Sequence, residues 1–217
     1  LITWASSGLG VDFARQLSKK WYYCVLTARD QEKLKKVKEE LEKNWWSAEI
    51  YRADISDMNE CFQLAHYIVT TYPNIDVLIN NAWFGAYGEF QDISLETQLN
   101  MIDLNCKAIL TLTHSIGNAM MQHNTQGYIL NVASTAAFQP GPTMATYFAT
   151  KAFVLSWSQA LQFERKEKWI QVTALCPWAT KTAFFDRSNV ADSSQMIQNM
   201  MRSDEVVKQW LDWLFMK

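Results

Sequence analysis

Tyr147 and Lys151 stand four residues apart in "YFATK", a spacing that puts both on one face of a helix. A phenol ordinarily ionises near pH ~10. An ammonium beside it favours phenolate and draws that value toward working pH, as acid–base catalysis requires. A bare Y-x-x-x-K recurs by chance. Ser134 sharpens the pattern: it lies upstream at the close of a strand-like run, where a hydroxyl can reach a helix-borne phenol.

Two other stretches suit a nucleotide. "TWASSGLG", Thr3 to Gly10, sits between a short β-branched run and a helical segment. Free backbone N–H groups and the positive end of a helix can hold a pyrophosphate there. Thr3, Ser6, Ser7, Gly8, Leu9 and Gly10 form this turn, and the glycines allow close backbone approach. In "TARD", Arg29 follows the second strand and Asp30 is a helix N-cap. A carboxylate at that point binds ribose hydroxyls, whereas an arginine accommodates a 2′-phosphate. The order favours NADP(H) over NAD(H).

The elements that must position these groups are legible. Strands are expected at Leu1–Thr3, Tyr22–Thr27, Ala48–Arg52, Ile75–Asn80, Tyr128–Ala133 and Ile170–Leu175. Amphipathic segments separate them. In one, Leu34, Val37 and Leu41 recur at helical spacing on a charged background. Ser56 and Ser94 are the expected N-caps of two others. This alternation predicts a Rossmann-like α/β fold: a doubly wound parallel sheet flanked by helices in three layers. Ligands would bind at the carboxyl ends of the strands. A single domain over 1–217 is expected. The chain opens inside a strand without methionine and stops near a helix, which predicts a fragment with truncated terminal strands.

Taken together, T-x-A-S-S-G-L-G, "NNA", "NVAS", "YFATK" and "CPWATKT", in this order and spacing, resemble the short-chain dehydrogenase/reductase family of standard length. "DLNCKAILTLTH" and "ILNVASTAAFQPGP" resemble its bacterial general-oxidoreductase branch. The resemblance spans essentially the whole chain. It implies a catalytic tetrad of Asn105, Ser134, Tyr147 and Lys151, with Tyr147 as proton donor or acceptor for an alcohol–carbonyl couple. Lys151 would lower the phenol's pKa and bond the nicotinamide ribose, and Ser134 would polarise the carbonyl. Asn105 would hold a water linking Lys151 to solvent, or bond to backbone at a helix kink, or both. For the cofactor it implies Asp54 and Ile55 near adenine, Asn81 and Ala82 near the adenosine ribose, and Thr182, downstream of Pro177, at the carboxamide. The segment after Thr182 would form a lid, in which Phe184 and Phe185 suggest an apolar pocket. A homodimer or homotetramer paired through the helices carrying Asn105 and Tyr147 is implied too.

Tryptophan interrupts this pattern. Trp4, Trp83 and Trp178 stand where the family has glycine, and literally read they predict weak cofactor binding. Trp21, Trp45, Trp46 and Trp169 fall at helix-to-strand junctions, where a left-handed glycine cap is usual. Glycine is scarce, at 7 residues against 10 tryptophans. The pattern predicts a codon that means glycine in the source, translated here as tryptophan; some bacterial lineages read UGA in that way. Trp157 fits ordinary packing, while Trp210 and Trp213 are ambiguous.

Composition narrows the remaining choices. The chain has 217 residues, 49% hydrophobic and 19% charged, with net charge -2, so no basic footprint suggests nucleic acid. No apolar run approaches the ~18 residues of a membrane span. Cys24, Cys61, Cys106 and Cys176 lack C-x-x-C spacing and predict reduced thiols in a cytoplasmic protein. His66, His114 and His123 lack metal-ligand spacing, and no metal is expected. The leading reading is a carbonyl–alcohol oxidoreductase for a small-molecule substrate. A non-catalytic nucleotide sensor or scaffold with a blocked cofactor site is the alternative. An extended-branch epimerase or dehydratase would need a longer C-terminal substrate domain.

Overall fold

The computed structural model describes residues 1–165, 170–178 and 200–215, without the side chains of Trp213 and Phe215. Thr182, Trp169 and residues 183–199 of the expected lid lie outside the described residues. The elements are β1 (Ile2–Thr3), α1 (Leu9–Lys19), β2 (Cys24–Ala28), α2 (Gln31–Glu42), β3 (Ala48–Arg52), α3 (Met58–Thr71) and β4 (Val77–Asn80). There follow α4 (Leu95–Ile102), a π-helical segment (Asp103–Ala108), α5 (Ile109–Gln122), β5 (Gly127–Val132) and a 3-10 turn (Thr135–Phe138). The last are α6 (Ala145–Arg165), β6 (Ile170–Leu175) and α7 (Ser203–Phe215). The strand order is β3-β2-β1-β4-β5-β6, that of a doubly wound dinucleotide fold.

The chain forms two compact units. The first holds Ile2–Arg52 and the described part of Pro177–Lys217. Its strands pair in parallel, with Leu26 of β2 opposite both Ile2 and Ile50. The predicted stripe of α2 is its buried face, through Leu34, Val37 and Leu41. Arg15 of α1 binds Glu40 of α2 at 2.6 and 2.8 Å. Asp12 of α1 accepts from Ser203 of α7 at 2.5 Å, and Phe13 meets Trp210 edge-on.

Two helices of this unit end in the same way. Trp21 N–H donates to Ser18 O at 2.9 Å and Tyr22 N–H to Leu17 O at 3.2 Å. Trp45 N–H donates to Glu42 O at 3.0 Å and Trp46 N–H to Leu41 O at 3.2 Å. Both are Schellman motifs, with φ of 66° at Trp21 and 63° at Trp45. The expectation of a left-handed cap holds for these two. Trp46 is one position too late: it supplies the second N–H of the motif and is not among the left-handed residues.

The second unit holds Leu1 and Ala53–Cys176. Leu1 joins the edge of β4, donating to Val77 O at 2.8 Å and accepting from Ile79 N–H at 2.8 Å. β4, β5 and β6 pair in parallel, with Asn80 opposite Asn131. α3 buries Cys61, Leu64, Ala65 and Ile68. Ser94 caps α4 as expected, accepting from Thr97 N–H. Ser56 does not cap α3. Asp57 does, accepting from Asn59 and Glu60 N–H, because a carboxylate there takes both N–H groups and complements the helix dipole. Ser56 instead donates to Asp54 Oδ1 at 2.6 Å.

A buried polar ladder crosses this unit beneath α6. Asn80 Nδ2 donates to Asn131 Oδ1 at 2.8 Å, Asn131 Nδ2 to Ser158 Oγ at 2.9 Å, and Ser158 Oγ to Val154 O at 2.6 Å. The in-register pairing of the two asparagines makes the first rung possible. Replacing Asn131 with alanine strands a donor on β4 and an acceptor on α6. Each buried orphan costs about 1–3 kcal/mol, so the urea midpoint of Asn131→Ala should fall with an unchanged slope.

Candidate active site

In the second unit, α6 presents Tyr147 and Lys151 one turn apart, as the spacing predicts. Lys151 is wholly buried, and its Nζ donates to Val132 O at the end of β5, 2.8 Å away. Tyr147 is buried with Met101 and Ala136, against the half-buried Trp83, Phe84 and Met144. Ser134 follows β5 and caps the 3-10 turn, its Oγ accepting from Ala136 N–H at 3.1 Å. It also hydrogen-bonds Tyr147. Phenol, hydroxyl and ammonium are therefore gathered at one strand end.

Asn105 lies in the π-helical segment, fully buried. Its Oδ1 accepts from Phe84 N–H at 3.0 Å. Its Nδ2 donates to Phe84 O at 2.9 Å and to Thr150 Oγ1 at 3.0 Å. The amide thus clamps the backbone that follows β4, which is the backbone-bonding role expected at a helix kink. Thr150 was not singled out by sequence, although it lies inside "YFATK". It relays the clamp to α6 by donating to Tyr147 O at 2.7 Å.

Burial governs the electrostatics here. It pushes the Tyr147 phenol up to about 12, with the Ser134 hydrogen bond pulling the other way. It also drives the Lys151 ammonium down to about 7. Burial sets the direction of the phenol's shift here and only the Ser134 hydrogen bond opposes it, so the pull expected from Lys151 does not enter in this arrangement. Trp83 helps to exclude solvent. Its ring lies 4.5 Å from Lys151 Nζ and 5.6 Å from the Tyr147 ring.

The other expected cofactor residues divide between the units. Asn81 and Ala82 are buried just after β4. Asp54 accepts from Ser56 N–H at 3.1 Å, and Ile55 is buried beside it. In the first unit, the turn from Thr3 to Gly10 leads into α1, whose N-cap is Gly8 at φ 55° with no side-chain cap. Val11 and Asp12 N–H donate to Gly8 O, and the turn ahead of them carries no side-chain cap, which fits a pyrophosphate at the helix start. Trp4 occupies the same turn at φ 51°. Arg29 is exposed just after β2, and Asp30 caps α2 through Lys33 N–H as expected. Pro177 is described, with Trp178 half exposed beside it. Neither Trp83 nor Trp178 is among the left-handed residues.

Comparison with known proteins gives the same picture. The chain is similar over 187 residues to a diacetyl reductase [(S)-acetoin forming] of Staphylococcus epidermidis. The two are 29% identical, over 86% of this chain and 73% of that protein. Among solved structures it is similar to a short-chain dehydrogenase from Sphingobium yanoikuyae in complex with NADPH. That match has a TM-score of 0.90 and 32% identity, covering 97% of this chain and 81% of the other. A bulky-bulky ketone specific alcohol dehydrogenase from Comamonas testosteroni follows at TM-score 0.85 and 28% identity, covering 97% and 79%. Residues 1–193 match the family model described as short chain dehydrogenase, and the chain with this strand order and this Ser134–Tyr147–Lys151 cluster belongs to the short-chain dehydrogenase family of oxidoreductases.

Proposed function

We propose that the protein interconverts a ketone or aldehyde and its alcohol with a nicotinamide dinucleotide, NADP(H) in preference to NAD(H). The observation that carries this reading is the meeting of Ser134, Tyr147 and Lys151 at the end of β5. In reduction, Tyr147 Oη gives its proton to the substrate oxygen as negative charge develops there. Ser134 Oγ donates a hydrogen bond to the same oxygen, stabilising charge that is larger in the transition state than in the ground state. Lys151 lies on the same helix face, and when charged it stabilises the phenolate left behind. In oxidation the same groups run in reverse. The bound nicotinamide supplies the hydride chemistry.

The residues fit that cofactor by donor type. In the first unit Thr3, Ser6, Ser7, Gly8, Leu9 and Gly10 would hold the pyrophosphate, Arg29 the 2′-phosphate, and Pro177 and Thr182 the carboxamide side. In the second, Asp54 and Ile55 would face adenine, Asn81 and Ala82 the adenosine ribose, and Tyr147 and Lys151 the nicotinamide ribose. Asn105 positions Tyr147 through Thr150. The four free cysteines fit a cytoplasmic protein, and no described helix is long and apolar enough to cross a membrane. Leu95, Leu99 and Ile102 make an exposed apolar stripe on α4, and Leu110 and Phe153 are exposed on α5 and α6. These surfaces suit a homodimer or homotetramer. A non-catalytic nucleotide sensor or scaffold has one observation in its favour, the contact of Trp83 with both Tyr147 and Lys151. In that case a panel of small carbonyls would give no NADPH oxidation.

Three measurements check this reading. Tyr147→Phe should lower kcat by about 10²–10⁴-fold and change NADPH affinity far less. Arg29→Ala should weaken NADPH binding much more than NADH binding, and equal losses would remove the 2′-phosphate assignment. The third is pH dependence of stability. Lys151 falls from 10.5 to about 7 on folding. Between those values the unfolded chain holds a proton that the folded chain lacks. Stability therefore rises with pH, at up to about 1.4 kcal/mol per unit. The buried thiols, raised from 9.0, act oppositely once unfolded cysteine ionises, so the rise belongs to pH 7–9. Urea titrations of the parent and Lys151→Met should diverge across that window, and parallel curves would contradict the buried lysine.

A further inference from the structure

We propose that the working form of this protein carries glycine at positions 4, 21, 45 and 83, each written as tryptophan for a codon its source reads as glycine, and that glycine at 83 uncovers Tyr147 and Lys151. The last clause rests on the reading of those two residues as the acid–base pair. The first does not.

The backbone supplies the main argument. Five described non-glycine residues have left-handed φ: Trp4 at 51°, Trp21 at 66°, Trp45 at 63°, Asn124 at 52° and Thr143 at 65°. Asparagine tolerates that region through local hydrogen bonding, but in other non-glycine residues the Cβ meets the carbonyl oxygen with nothing in return. Three of the five are tryptophan. Random substitution has no reason to gather one residue type at positions that share only a backbone angle.

The surroundings do not offset the strain. Trp21 is 80% exposed and Trp45 is 89% exposed, so neither indole gains burial in return for its conformation. Each closes a Schellman motif whose hydrogen bonds are intact, the setting in which glycine is the usual residue. Trp4 lies in the turn before α1, where Gly8, also left-handed at 55°, opens the helix. Two positive-φ positions four residues apart in one short turn suit two glycines. Trp157 and Trp210 differ in kind. One stacks on Phe153 and the other packs buried against Phe13, and both stay tryptophan in this account.

Trp83 is assigned by what it covers. Its ring lies over Lys151 Nζ and beside Tyr147, two groups that a substrate oxygen and a ribose must approach for the proposed reaction. Glycine at 83 removes the indole from both and leaves the backbone that Asn105 clamps at Phe84 unchanged.

Peptide mass spectrometry of the protein from its source reads positions 4, 21, 45 and 83 directly. Glycine is expected at each, and tryptophan would overturn the proposal. In the recombinant chain, Trp21→Gly and Trp45→Gly should each raise the folding equilibrium constant roughly five- to thirtyfold. Trp21→Ala and Trp45→Ala should gain much less, since they remove the indole and keep the Cβ. Equal gains for alanine and glycine would overturn the backbone argument. Amine labelling read by mass spectrometry tests position 83: Lys151 should become modifiable in Trp83→Gly, and continued protection would overturn that clause. If these three succeed while a Trp4→Gly, Trp83→Gly chain reduces no carbonyl with NADPH, the assignment of function falls and takes with it the meaning given to position 83, while the four glycine assignments stand.

Discussion

The second unit depends on one buried amine. Lys151 sits in the second turn of α6 with no solvent exposure, and its hydrogen bond to Val132 O binds that helix to the end of β5. A charge in that position costs several kcal/mol unless it is paired. Among the described residues no carboxylate acts on it; the charges that do are those of the Cys106 and Cys176 thiols. The fold therefore brings the amine down to about 7, where its charged and neutral forms are both populated near neutral pH. The same helix places three more of the groups around it. Tyr147 is one turn earlier, Thr150 is adjacent and ties Asn105 to Tyr147 O, and Ser158 two turns on completes the polar ladder to Asn131 and Asn80.

That ladder explains why α6 takes one register against the sheet. Apolar packing alone tolerates small slides, because dispersion contacts are individually weak and non-directional. Buried amides tolerate none, since each displaced partner leaves an orphan. The rungs run from β4 through β5 to α6, and the Lys151–Val132 bond starts one residue beyond the central rung. Position along the helix axis is thus fixed from two sides. The cluster of Ser134, Tyr147 and Lys151 inherits its geometry from groups that never touch substrate.

Much of this was legible in the sequence because it depends on local patterns. Strand positions follow β-branched runs, with ends shifted by one or two residues as at Cys24 and Val77. The α2 stripe follows from helical spacing, and the caps at Asp30 and Ser94 from short polar side chains at helix starts. The missed cap at Ser56 shows the limit, since two adjacent residues could both serve and the carboxylate won. Three features were not legible. The clamp of Asn105 on Phe84 joins residues far apart in the chain, and a π-helical turn has no local signature in "DLNCKA". The direction of the Tyr147 shift is set by burial, which is a tertiary property. Trp83 could be seen as a misplaced glycine, but not as a cover over two ionisable groups.

The perturbed ionisations and the tryptophans are one physical problem. A Tyr–Lys pair works in acid–base chemistry when the ammonium is charged and the phenol sits near working pH. Desolvation moves both the wrong way here, the amine down and the phenol up, because each loses the water that stabilises its charged form. The indole of Trp83 contributes to that desolvation directly, and its ring face offers the ammonium only a cation–π contact in exchange. Opening position 83 to water or to a polar substrate lowers the cost of both charged forms together. A protonated amine beside the phenol then favours the phenolate. Desolvation is the largest cause of both shifts. Access to the pair therefore decides its chemistry before any finer adjustment by Ser134 can count.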